Sequence, residues 1–287
     1  MNGRFAPSPT GTLHLGNLRT ALLAWLFARS ADSRFLMRME DLDTSRVRPG
    51  AAEEQLADLA AIGLDWDGEV VWQSARPDLY AEATAALSAA GRVYECFCTR
   101  AEIREAASAP HGPLPEGHYP GTCLRLTEAE RAERRKARPP ALRVRADGAR
   151  VRFTDRLHGE VEGVVDDFVV RRNDGAVAYN LAVVVDDGAQ GIGEVVRGGD
   201  LLDSTPRQLF LARLLGLPEL SYAHVPLVLG PDGARLAKRH GAVTLRDVSA
   251  ETARAWMLAS LGLPADLTPH TFDPAALPRV PTHFTGT

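Results

Sequence analysis

The stretch from Arg4 to Asn17, RFAPSPTGTLHLGN, constrains the fold of this chain more than any other. It reads as a short apolar segment, a tight loop rich in proline and glycine, and the start of a helix whose leucines recur at helical spacing. Backbone N–H groups at a helix N-terminus are free to bind anions, and the helix dipole strengthens that attraction. We therefore expect a phosphate site here, with His14 as a hydrogen-bond donor. The plainer interpretation is that His14 and Asn17 merely cap a buried helix.

Strand and helix patterns alternate after this stretch. The sequence predicts a strand at 34–39, which ends in a run of carboxylates at 40–43, and then helices at 49–62 and 77–90. This βαβα order opens a doubly wound nucleotide-binding fold, in which ligands bind at the carboxyl ends of parallel strands. The chain is therefore expected to be an α/β protein built on a Rossmann-like, doubly wound parallel sheet.

The alternation stops between Tyr94 and about Asn173, in a segment rich in arginine and turn residues that we interpret as an inserted α+β subdomain. The patterns in this segment predict one charged helix and three short strands, at 127–138, 142–144, 151–153 and 168–171. The apolar run 177–185 then predicts a strand buried on both faces. The last elements are predicted as a helix at 205–215, a strand at 225–229 and a helix at 250–261.

These patterns divide the chain into four segments. Residues 1–94 and 174–245 are expected to form the two halves of one α/β domain. Residues 95–173 are the insertion, and residues 246–287 are a short helical C-terminal segment. With 287 residues and 45% hydrophobic content, the chain can bury a sizeable core.

Composition limits the partners that the chain can have. The formal net charge of -4 excludes a global basic field, so any contact with RNA must come from a local patch. Residues 125–156 are a candidate, since they hold eleven basic and five acidic side chains. The first residues contain no signal peptide, and no apolar run is long enough to span a bilayer. We therefore expect a cytoplasmic protein with no membrane partner.

The cysteines predict a metal site in the insertion. Cys96 and Cys98 are one residue apart, and Cys123 follows at the far end of a loop. An odd, clustered set of thiols favours metal binding or free thiols over disulfides, and three thiolates can form three corners of a tetrahedral zinc site. Ligand chemistry favours His118 or His111 as the fourth ligand. Three buried or free cysteines without a metal are the alternative.

Residues 4–17 resemble the first signature of class I aminoacyl-tRNA synthetases, in the version found in their glutamyl/glutaminyl branch. Residues 14–17, HLGN, occupy the position of that signature's HIGH motif. The resemblance implies that the chain binds ATP together with Mg²⁺, and that His14 and Asn17 are catalytic. The ATP-binding positions that it implies in this stretch are Thr10, Gly11, His14, Gly16 and Asn17.

Residues 233–241, GARLAKRHG, are similar to the KMSKS loop, which is the second signature of the same enzymes. Arg235 to Arg239 fill the five motif positions and depart from the motif at the first, third and last of them. Lys238 is kept, and it is one of only two lysines among 33 basic residues. The resemblance implies that Lys238 is catalytic, binds ATP and closes on its phosphates. A solvated basic turn is the alternative.

An amino-acid site for glutamate needs a cation for the side-chain carboxylate. Arg197 lies in the stretch VVRGGDLL, which looks like the RG-DLL stretch of the glutamyl/glutaminyl branch. A guanidinium can bind a carboxylate through two parallel hydrogen bonds, and its charge would stay unpaired against glutamine. The alternative is a structural salt bridge from Arg197 to Asp200 or Asp203. The glutamate-contacting positions that the resemblance implies are Arg4, Ala6, Ser8, Glu40, Tyr179 and Arg197.

The resemblance covers essentially the whole chain, but only the catalytic half of ordinary glutamyl- and glutaminyl-tRNA synthetases, which continue into an anticodon-binding domain. Thr287 comes 47 residues after His240, which is too few for such a domain. Together with the Cys-x-Cys…Tyr-x-x-x-Cys spacing, this length resembles the glutamyl-queuosine tRNA(Asp) synthetase family. That family uses a tyrosine as the fourth ligand of one structural zinc, which implies Tyr119 here.

The resemblance implies a two-step activity for the chain, which we expect to be a monomer. ATP and L-glutamate would give glutamyl-adenylate without tRNA, and the glutamyl group would then pass to queuosine at the wobble position of tRNA(Asp). Two alternatives remain open. One is a truncated glutamyl-tRNA synthetase that charges tRNA(Glu) with a partner's help, and the other is a non-catalytic glutamate- or RNA-binding relic.

Overall fold

The computed structural model describes residues 2–99, 101–103, 118–236 and 243–284. Its helices are α1 (Leu15–Ser30), α2 (Ala51–Ala61), α3 (Pro77–Ala89), α4 (Glu128–Ala137), α5 (Tyr179–Ala189), α6 (Thr205–Leu214) and α7 (Ala250–Ala259). None of these helices has the length and apolar character that crossing a membrane requires. Its strands are β1 (Gly3–Phe5), β2 (Phe35–Met39), β3 (Val71–Trp72), β4 (Val93–Cys96), β5 (Ala141–Val144), β6 (Arg150–Asp155), β7 (Gly159–Val164), β8 (Val169–Arg171), β9 (Glu194–Gly198), β10 (Ser221–Val225), β11 (Val228–Leu229) and β12 (Thr282–His283).

A mixed β-sheet forms the centre of the described chain. Strands β1, β2 and β3 pair in parallel in that order. Strands β9, β10 and β6 also pair in parallel, and β7 adds an antiparallel strand beside β6. A parallel bridge between Asn2 and Ile192 joins the edges of β1 and β9, so the order across the sheet is β3-β2-β1-β9-β10-β6-β7. The carboxyl ends of β1, β2 and β9 therefore meet at one edge.

Side chains that alternate along these strands pack into two cores, one on each face of the sheet. Phe35 and Met37 belong to the core under α1, whereas Leu36 belongs to the core under α5 and α6. Val196 and Val195 on β9 divide between the two cores in the same way. Successive side chains of a strand point to opposite faces, so strands that are apolar at every position need helices on both sides.

Five predicted helices are confirmed, with bounds that differ from the prediction by at most two residues at either end. They are α2, α3, α4, α6 and α7. The predicted strands at 34–39, 142–144, 151–153 and 168–171 are confirmed as β2, β5, β6 and β8. The helices carry clear local signals, such as the capping box between Thr127 and Glu130 at the start of α4 and the proline that begins α3.

The strand predicted at 177–185 is wrong, because the structure has helix α5 there. The side chains from Leu181 to Val185 are all buried, and a short apolar run that is buried on all sides is compatible with either a strand or a helix. The helix continues through Asp186 and Asp187, whose carboxylates are buried against arginines, so the element does not end at this acidic pair.

The strand predicted at 225–229 is displaced in the structure. β10 ends at Val225, and the two-residue β11 begins at Val228. Pro226 lies between them and has no N–H group to donate to a strand ladder, which explains the break. Strands β3, β4, β7, β9 and β12 were not predicted. The two glycines in β7 weaken the strand pattern there.

The segment 95–173 contributes to two different sheets. Most of β4, β5 and β8 lies within it, and these strands form a separate three-stranded antiparallel sheet. Strands β6 and β7 instead belong to the central sheet beside β10. The boundaries of a separate inserted subdomain stay a prediction.

Gly163 in β7 allows helix α6 to pack closely on the sheet. A Cβ atom at this position would lie 2.4 Å from the Cγ atom of Pro206, in the first turn of α6. Valine normally favours a strand over glycine. A loss of stability on Gly163→Val would therefore report the steric contact and not strand propensity.

We expect Gly163→Val to lower the free energy of unfolding by about 1–3 kcal/mol, because either α6 or the strand must move. Urea denaturation followed by circular dichroism measures the change. Glu160→Val is the matched control at an exposed position of the same strand, and we expect it to change stability by less than about 0.5 kcal/mol. A Gly163→Val protein as stable as the wild type would contradict the close packing.

Candidate active site

A cavity of about 530 Å³ opens at the carboxyl ends of β1, β2 and β9. The loop after β1, the N-terminus of α1 and the first turn of α5 contribute to its walls. Every predicted ATP- or glutamate-binding residue in the described part of the chain lines it: Arg4, Ala6, Ser8, Thr10, Gly11, His14, Gly16, Asn17, Glu40, Tyr179 and Arg197. Lys238 lies outside the described residues. The structure thus brings the predicted residues together, and their roles in binding and catalysis stay predictions.

His14 is the N-cap residue of α1, and its ring is held against the first turn of the helix. Its Nδ1 atom accepts the backbone N–H groups of Gly16 at 3.1 Å and Asn17 at 3.4 Å, and the Asn17 side chain accepts the N–H of His14. A nitrogen that accepts carries no proton, so the neutral ring has its proton on Nε2, which can act as a donor. His14 and Asn17 therefore do cap the helix, and the backbone N–H groups of Gly16 and Asn17 already have a partner in the His14 ring.

Side chains on helix α2 hold the loop between β1 and α1, which is part of the first signature. The side-chain amide nitrogen of Gln55, which is only 1% exposed, donates to the carbonyl oxygens of Ser8 at 3.1 Å and Gly11 at 2.6 Å. The hydroxyl of Thr12 donates to Glu54 on the same helix at 3.2 Å. These bonds fix a loop that has no regular secondary structure of its own.

The residues that follow the second signature loop contact the helix start of the first signature. The N–H of Leu15 donates to the carbonyl oxygen of Val243 at 2.9 Å. Arg246 forms ion pairs with Glu54 and Asp58, both on α2. The far side of the second signature loop is thus anchored to the helix that also holds the first.

Asp187 on α5 joins two buried arginines beneath the cavity. It accepts hydrogen bonds from Arg4 at 3.3 and 3.4 Å and from Arg38 at 2.8 Å, and Arg38 also pairs with Glu40 at 3.3 Å. Burial would raise the pKa of Asp187, but the two guanidinium charges outweigh burial and hold this pKa below its usual range. For Glu40 the effect of burial is larger than that of the neighbouring guanidinium charges, so the pKa of Glu40 lies above its usual range. Arg4 lines the cavity, and its positive charge is therefore already partly balanced by Asp187.

Arg197 has a different environment, because its buried guanidinium contacts neutral groups. Its Nε donates to Nε2 of His224 at 3.0 Å, its Nη1 to the Gln208 side chain at 2.7 Å and its Nη2 to the Thr205 hydroxyl at 2.8 Å. Burial lowers the pKa of Arg197. Nη2 also donates to the carbonyl oxygen of Leu201 at 3.4 Å. A guanidinium has five N–H donors, so these four bonds leave one N–H, on Nη1, for a ligand.

The salt bridge considered as an alternative for Arg197 does not form in the described structure. Asp200 instead pairs with Arg235, the first residue of the second signature. Among the residues with described positions, neither Asp203 nor any other carboxylate forms an ion pair with Arg197. An unmatched cation on the wall of a cavity is a place where an anionic group can bind.

His224 is itself fully buried and bonded to a carboxylate. Its Nδ1 lies 2.7 Å from Oδ2 of Asp155, whose Oδ1 also accepts the backbone N–H groups of Leu157 at 2.9 Å and His158 at 3.0 Å. Burial lowers the pKa of His224, so the ring is neutral at pH 7. Burial would raise the pKa of Asp155, but the hydrogen bonds from His224 and the backbone lower it. Asp155 is therefore an anion that contacts a neutral imidazole.

The four groups predicted to hold zinc converge in the structure. The Sγ atoms of Cys96, Cys98 and Cys123 lie within 4.8 Å of one another. The phenolic oxygen of Tyr119 lies 3.4 Å from Sγ of Cys96 and 3.6 Å from Sγ of Cys98, and it accepts the N–H of Cys123 at 2.9 Å. Three sulfur atoms and one oxygen at these distances can surround a metal ion.

Five residues of the site were missed by the sequence prediction: Arg38, Gln55, Asp155, Asp187 and His224. Arg38 did carry a signal, because an arginine at a fully buried position of a central strand requires a partner. Asp187 likewise comes just after an apolar run, behind Asp186. The other three act through partners that are distant in the sequence, so no local pattern marks them.

The fold and the site together define a class of protein. Residues 1–261 match the family model described as tRNA synthetases class I (E and Q), catalytic domain. The glutamate-tRNA synthetase of Elizabethkingia anophelis has a similar structure, with a TM-score of 0.85 and 27% identity over 99% of this chain and 68% of that one. The glutamate tRNA ligase of Elizabethkingia meningosepticum, in complex with its amino acid, has a TM-score of 0.84 and 26% identity over 99% of this chain and 67% of that one.

Other relatives are more similar in sequence. The glutamyl-Q tRNA(Asp) synthetase of Nocardia farcinica is 62% identical over 293 residues, which cover 97% of this chain and 91% of that protein. The glutamyl-Q tRNA(Asp) synthetase of Symbiobacterium thermophilum is 51% identical over 308 residues, which cover 98% of this chain and 95% of that protein. The chain therefore belongs to the class I glutamyl/glutaminyl tRNA synthetase family, among the relatives named glutamyl-Q tRNA(Asp) synthetase, and is an aminoacyl-tRNA synthetase-like ligase. The predicted resemblance is confirmed.

The buried ion pairs of Arg38 beneath the cavity should contribute strongly to the stability of the fold. Arg38→Met removes the cation shared by Glu40, Asp186 and Asp187, and leaves buried carboxylates short of positive charge. We expect the free energy of unfolding at pH 7 to fall by about 3–5 kcal/mol. Urea denaturation provides the measurement. Arg145→Met, which removes an exposed ion pair, is the control and should cost less than about 1 kcal/mol. Equal losses in the two variants would contradict a buried, strongly coupled cluster.

Proposed function

We propose that this chain activates L-glutamate with ATP, without tRNA, and then transfers the glutamyl group to queuosine at the wobble position of tRNA(Asp). The observation that carries the glutamate step is Arg197. It is a buried guanidinium on the cavity wall, and no carboxylate in the described part of the chain forms an ion pair with it. The transfer step is supported by the names of the relatives that share most of this sequence.

The charge pattern of the cavity favours glutamate over glutamine. The side-chain carboxylate of glutamate would supply the counter-charge that Arg197 lacks, whereas the neutral amide of glutamine would leave the guanidinium unmatched in a dry site. Glu40, which also lines the cavity, would offer negative charge for an ammonium group. The hydroxyl of Tyr179, a side chain 43% exposed at the cavity, is available to the same ligand.

The first signature would bind the triphosphate of ATP. The loop held by Gln55 and the N-terminus of α1 line one side of the cavity, where the helix dipole would attract the phosphates. Lys238 would add positive charge from the second signature loop. Mg²⁺ bound with ATP would supply further neutralisation of phosphate charge.

The chemistry that we propose has two steps and no covalent enzyme intermediate. The α-carboxylate of glutamate attacks the α-phosphorus of ATP, the bond to the β-phosphate oxygen breaks, and pyrophosphate leaves. The chain contributes by orienting the two reactants and by stabilising charge on the phosphoryl group through His14, Asn17 and Lys238. A hydroxyl of the modified base then attacks the mixed anhydride, and AMP leaves.

The thiol cluster would bind one structural zinc. Four anionic ligands around a divalent ion leave a net charge of about −2. Two arginines lie where they offset this charge: Arg143 stacks 3.7 Å from the Tyr119 ring centre, and Arg134 lies 3.8 Å from Sγ of Cys123. Among the described residues, His118 forms no hydrogen bond with the sulfur atoms, and its buried Nδ1 has no hydrogen-bond partner. His111 lies outside the described residues. We therefore propose Tyr119 as the fourth ligand.

We also propose a domain organisation, an oligomeric state and an RNA-binding segment for the chain. We interpret the parallel strands of the central sheet as a Rossmann-like, doubly wound core. Residues 95–173 would be its zinc-binding insertion, and residues 246–287 its short helical extension. We further propose that the chain acts as a monomer and that the charged segment 125–156 contacts RNA. Part of that segment is already neutralised, since Arg135 pairs with Glu95 and Glu128.

The activation step can be measured by ATP–pyrophosphate exchange without tRNA. We expect exchange with glutamate and little with glutamine or aspartate, because only glutamate matches the charge of Arg197 at the right distance from its reacting carboxylate. An absolute requirement for tRNA, or a preference for glutamine, would contradict the proposal. Acylation of tRNA(Asp) with and without queuosine, compared with tRNA(Glu), then identifies the acceptor. Charging of tRNA(Glu) would favour the truncated synthetase, and no exchange at all would favour the relic.

The zinc proposal predicts one zinc per chain in the purified protein. We expect Cys98→Ser and Tyr119→Phe to reduce zinc content and His118→Ala to keep it, which elemental analysis measures. Because a closed four-ligand site supports structure and does no chemistry, Cys98→Ser should still exchange pyrophosphate with glutamate but lose transfer to RNA. A metal-free wild type with full RNA acylation, or a Tyr119→Phe variant that keeps its zinc while His118→Ala loses it, would contradict these assignments.

A further inference from the structure

We propose that His224 and Asp155 are positioning residues that hold Arg197 as a charged, outward-facing binding group for the ligand's carboxylate. This inference rests on the proposed function, in which Arg197 binds the side chain of glutamate. Neither residue lines the cavity. Both are completely buried behind it. The ring nitrogens of His224 and the carboxylate oxygens of Asp155 all have hydrogen-bond partners there.

The hydrogen bonds fix the tautomer of His224. Nε of Arg197 is always a donor, and it lies 3.0 Å from Nε2 of His224, which must therefore accept. The single ring proton of the neutral imidazole is then on Nδ1, 2.7 Å from Oδ2 of Asp155. Asp155 can only accept in its ionised form, so it selects the tautomer that presents a lone pair to Arg197.

Asp155 is held rigidly enough to perform this selection. It accepts the backbone N–H of His224 at 3.1 Å, and it also accepts the N–H groups of Leu157 and His158 in the turn that follows β6. These donors stabilise its negative charge. The carboxylate therefore belongs to the fold of β6 and β10 and does not move with the ligand.

The neutrality of the imidazole matters for binding. A carboxylate in direct contact with Arg197 would stabilise the buried guanidinium, but it would also occupy the N–H donors and cancel the charge that a ligand needs. The structure instead places neutral acceptors on Arg197, which are His224 from β10, Thr205 and Gln208 from α6, and the carbonyl oxygen of Leu201. The anion is one imidazole ring further away, at Asp155. It compensates the buried charge at longer range and leaves the side of the guanidinium at the cavity available.

The aromatic neighbours fit the same role. The ring of Tyr222 stacks parallel to that of His224 with centres 5.9 Å apart, and the guanidinium of Arg197 lies 5.4 Å from the Tyr222 ring centre. Tyr222 stays neutral, since burial raises its pKa to about 12. The packing restricts rotation of both polar side chains without adding a competing charge.

Steady-state pyrophosphate exchange with the full chain tests the proposal. His224→Leu removes the acceptor and Asp155→Asn removes the anion that selects the tautomer. We expect each to raise the KM for glutamate ~10–100-fold, because an oriented hydrogen bond to a charged group is lost. The KM for ATP and kcat should stay within about twofold, since neither residue contacts the nucleotide side. His224→Gln retains a side-chain carbonyl acceptor and should restore most of the affinity for glutamate.

Two further variants separate positioning from general structure. In an Arg197→Gln background, His224→Leu should raise the KM for glutamate no further, because its effect passes through Arg197. His158→Gln is the matched control. Its ring contacts the carbonyl oxygen of His224 and not Arg197, so its KM for glutamate should stay within about twofold of wild type.

The outcomes are distinguishable. If Arg197→Gln raises the KM for glutamate but His224→Leu and Asp155→Asn do not, the positioning role is wrong and the proposed function stands. If Arg197→Gln has no effect on glutamate, the proposed function is wrong at its central residue. If His224→Leu fails to fold, Asp155→Asn and His224→Gln carry the test. Equal losses for glutamate and ATP, additive losses in the double variant, or a large effect of His158→Gln would show a merely structural role and overturn the inference.

Discussion

The buried carboxylate of Asp187 is the contact on which the cavity depends. From its place on α5 it binds Arg4 on β1 and Arg38 on β2, so that one anion connects two neighbouring strands to a helix packed on them. Burying an ion costs several kcal/mol even after the protein relaxes, and the cost is recovered only where opposite charges meet in good geometry. Opposite charges meet here from three elements that are distant in the sequence. The floor of the cavity is therefore fixed by the fold before any ligand binds.

Arg197 lies on the same cavity with its charge unmatched, and this contrast gives the site its polarity. Glu40 brings to the cavity a carboxylate paired with Arg38, whereas the guanidinium of Arg197 forms no ion pair among the described residues. Under the proposed function, an amino acid with a second carboxylate has the complementary pattern, with an ammonium group for Glu40 and a side-chain anion for Arg197. A neutral side chain of the same size satisfies only half of it. Under the proposed function, it is this placement of charge that separates glutamate from glutamine.

Local signals in the sequence account for much of this arrangement. Residues 4–17 form the strand, loop and helix start that they indicate, because proline, glycine and the capping residues His14 and Asn17 act on their own neighbours. Prediction was wrong at 177–185, where every side chain of the run's second half is buried and periodicity cannot separate strand from helix. What decides for the helix is a set of long-range contacts. Asp186 and Asp187 must both reach arginines, and these contacts are visible only in three dimensions.

The groups behind the binding residues are hidden from the sequence for the same reason. Asp155 is 69 residues from His224, and His224 is 27 residues from Arg197. Binding and stability make opposite demands on Arg197, since a counter-ion that best stabilises the buried guanidinium would also prevent it from binding a ligand. Neutral acceptors in direct contact, with the carboxylate one ring further away, meet both demands. Such an arrangement needs several elements in register, here β6, β9, β10 and α6, so no local stretch of sequence contains the information for it.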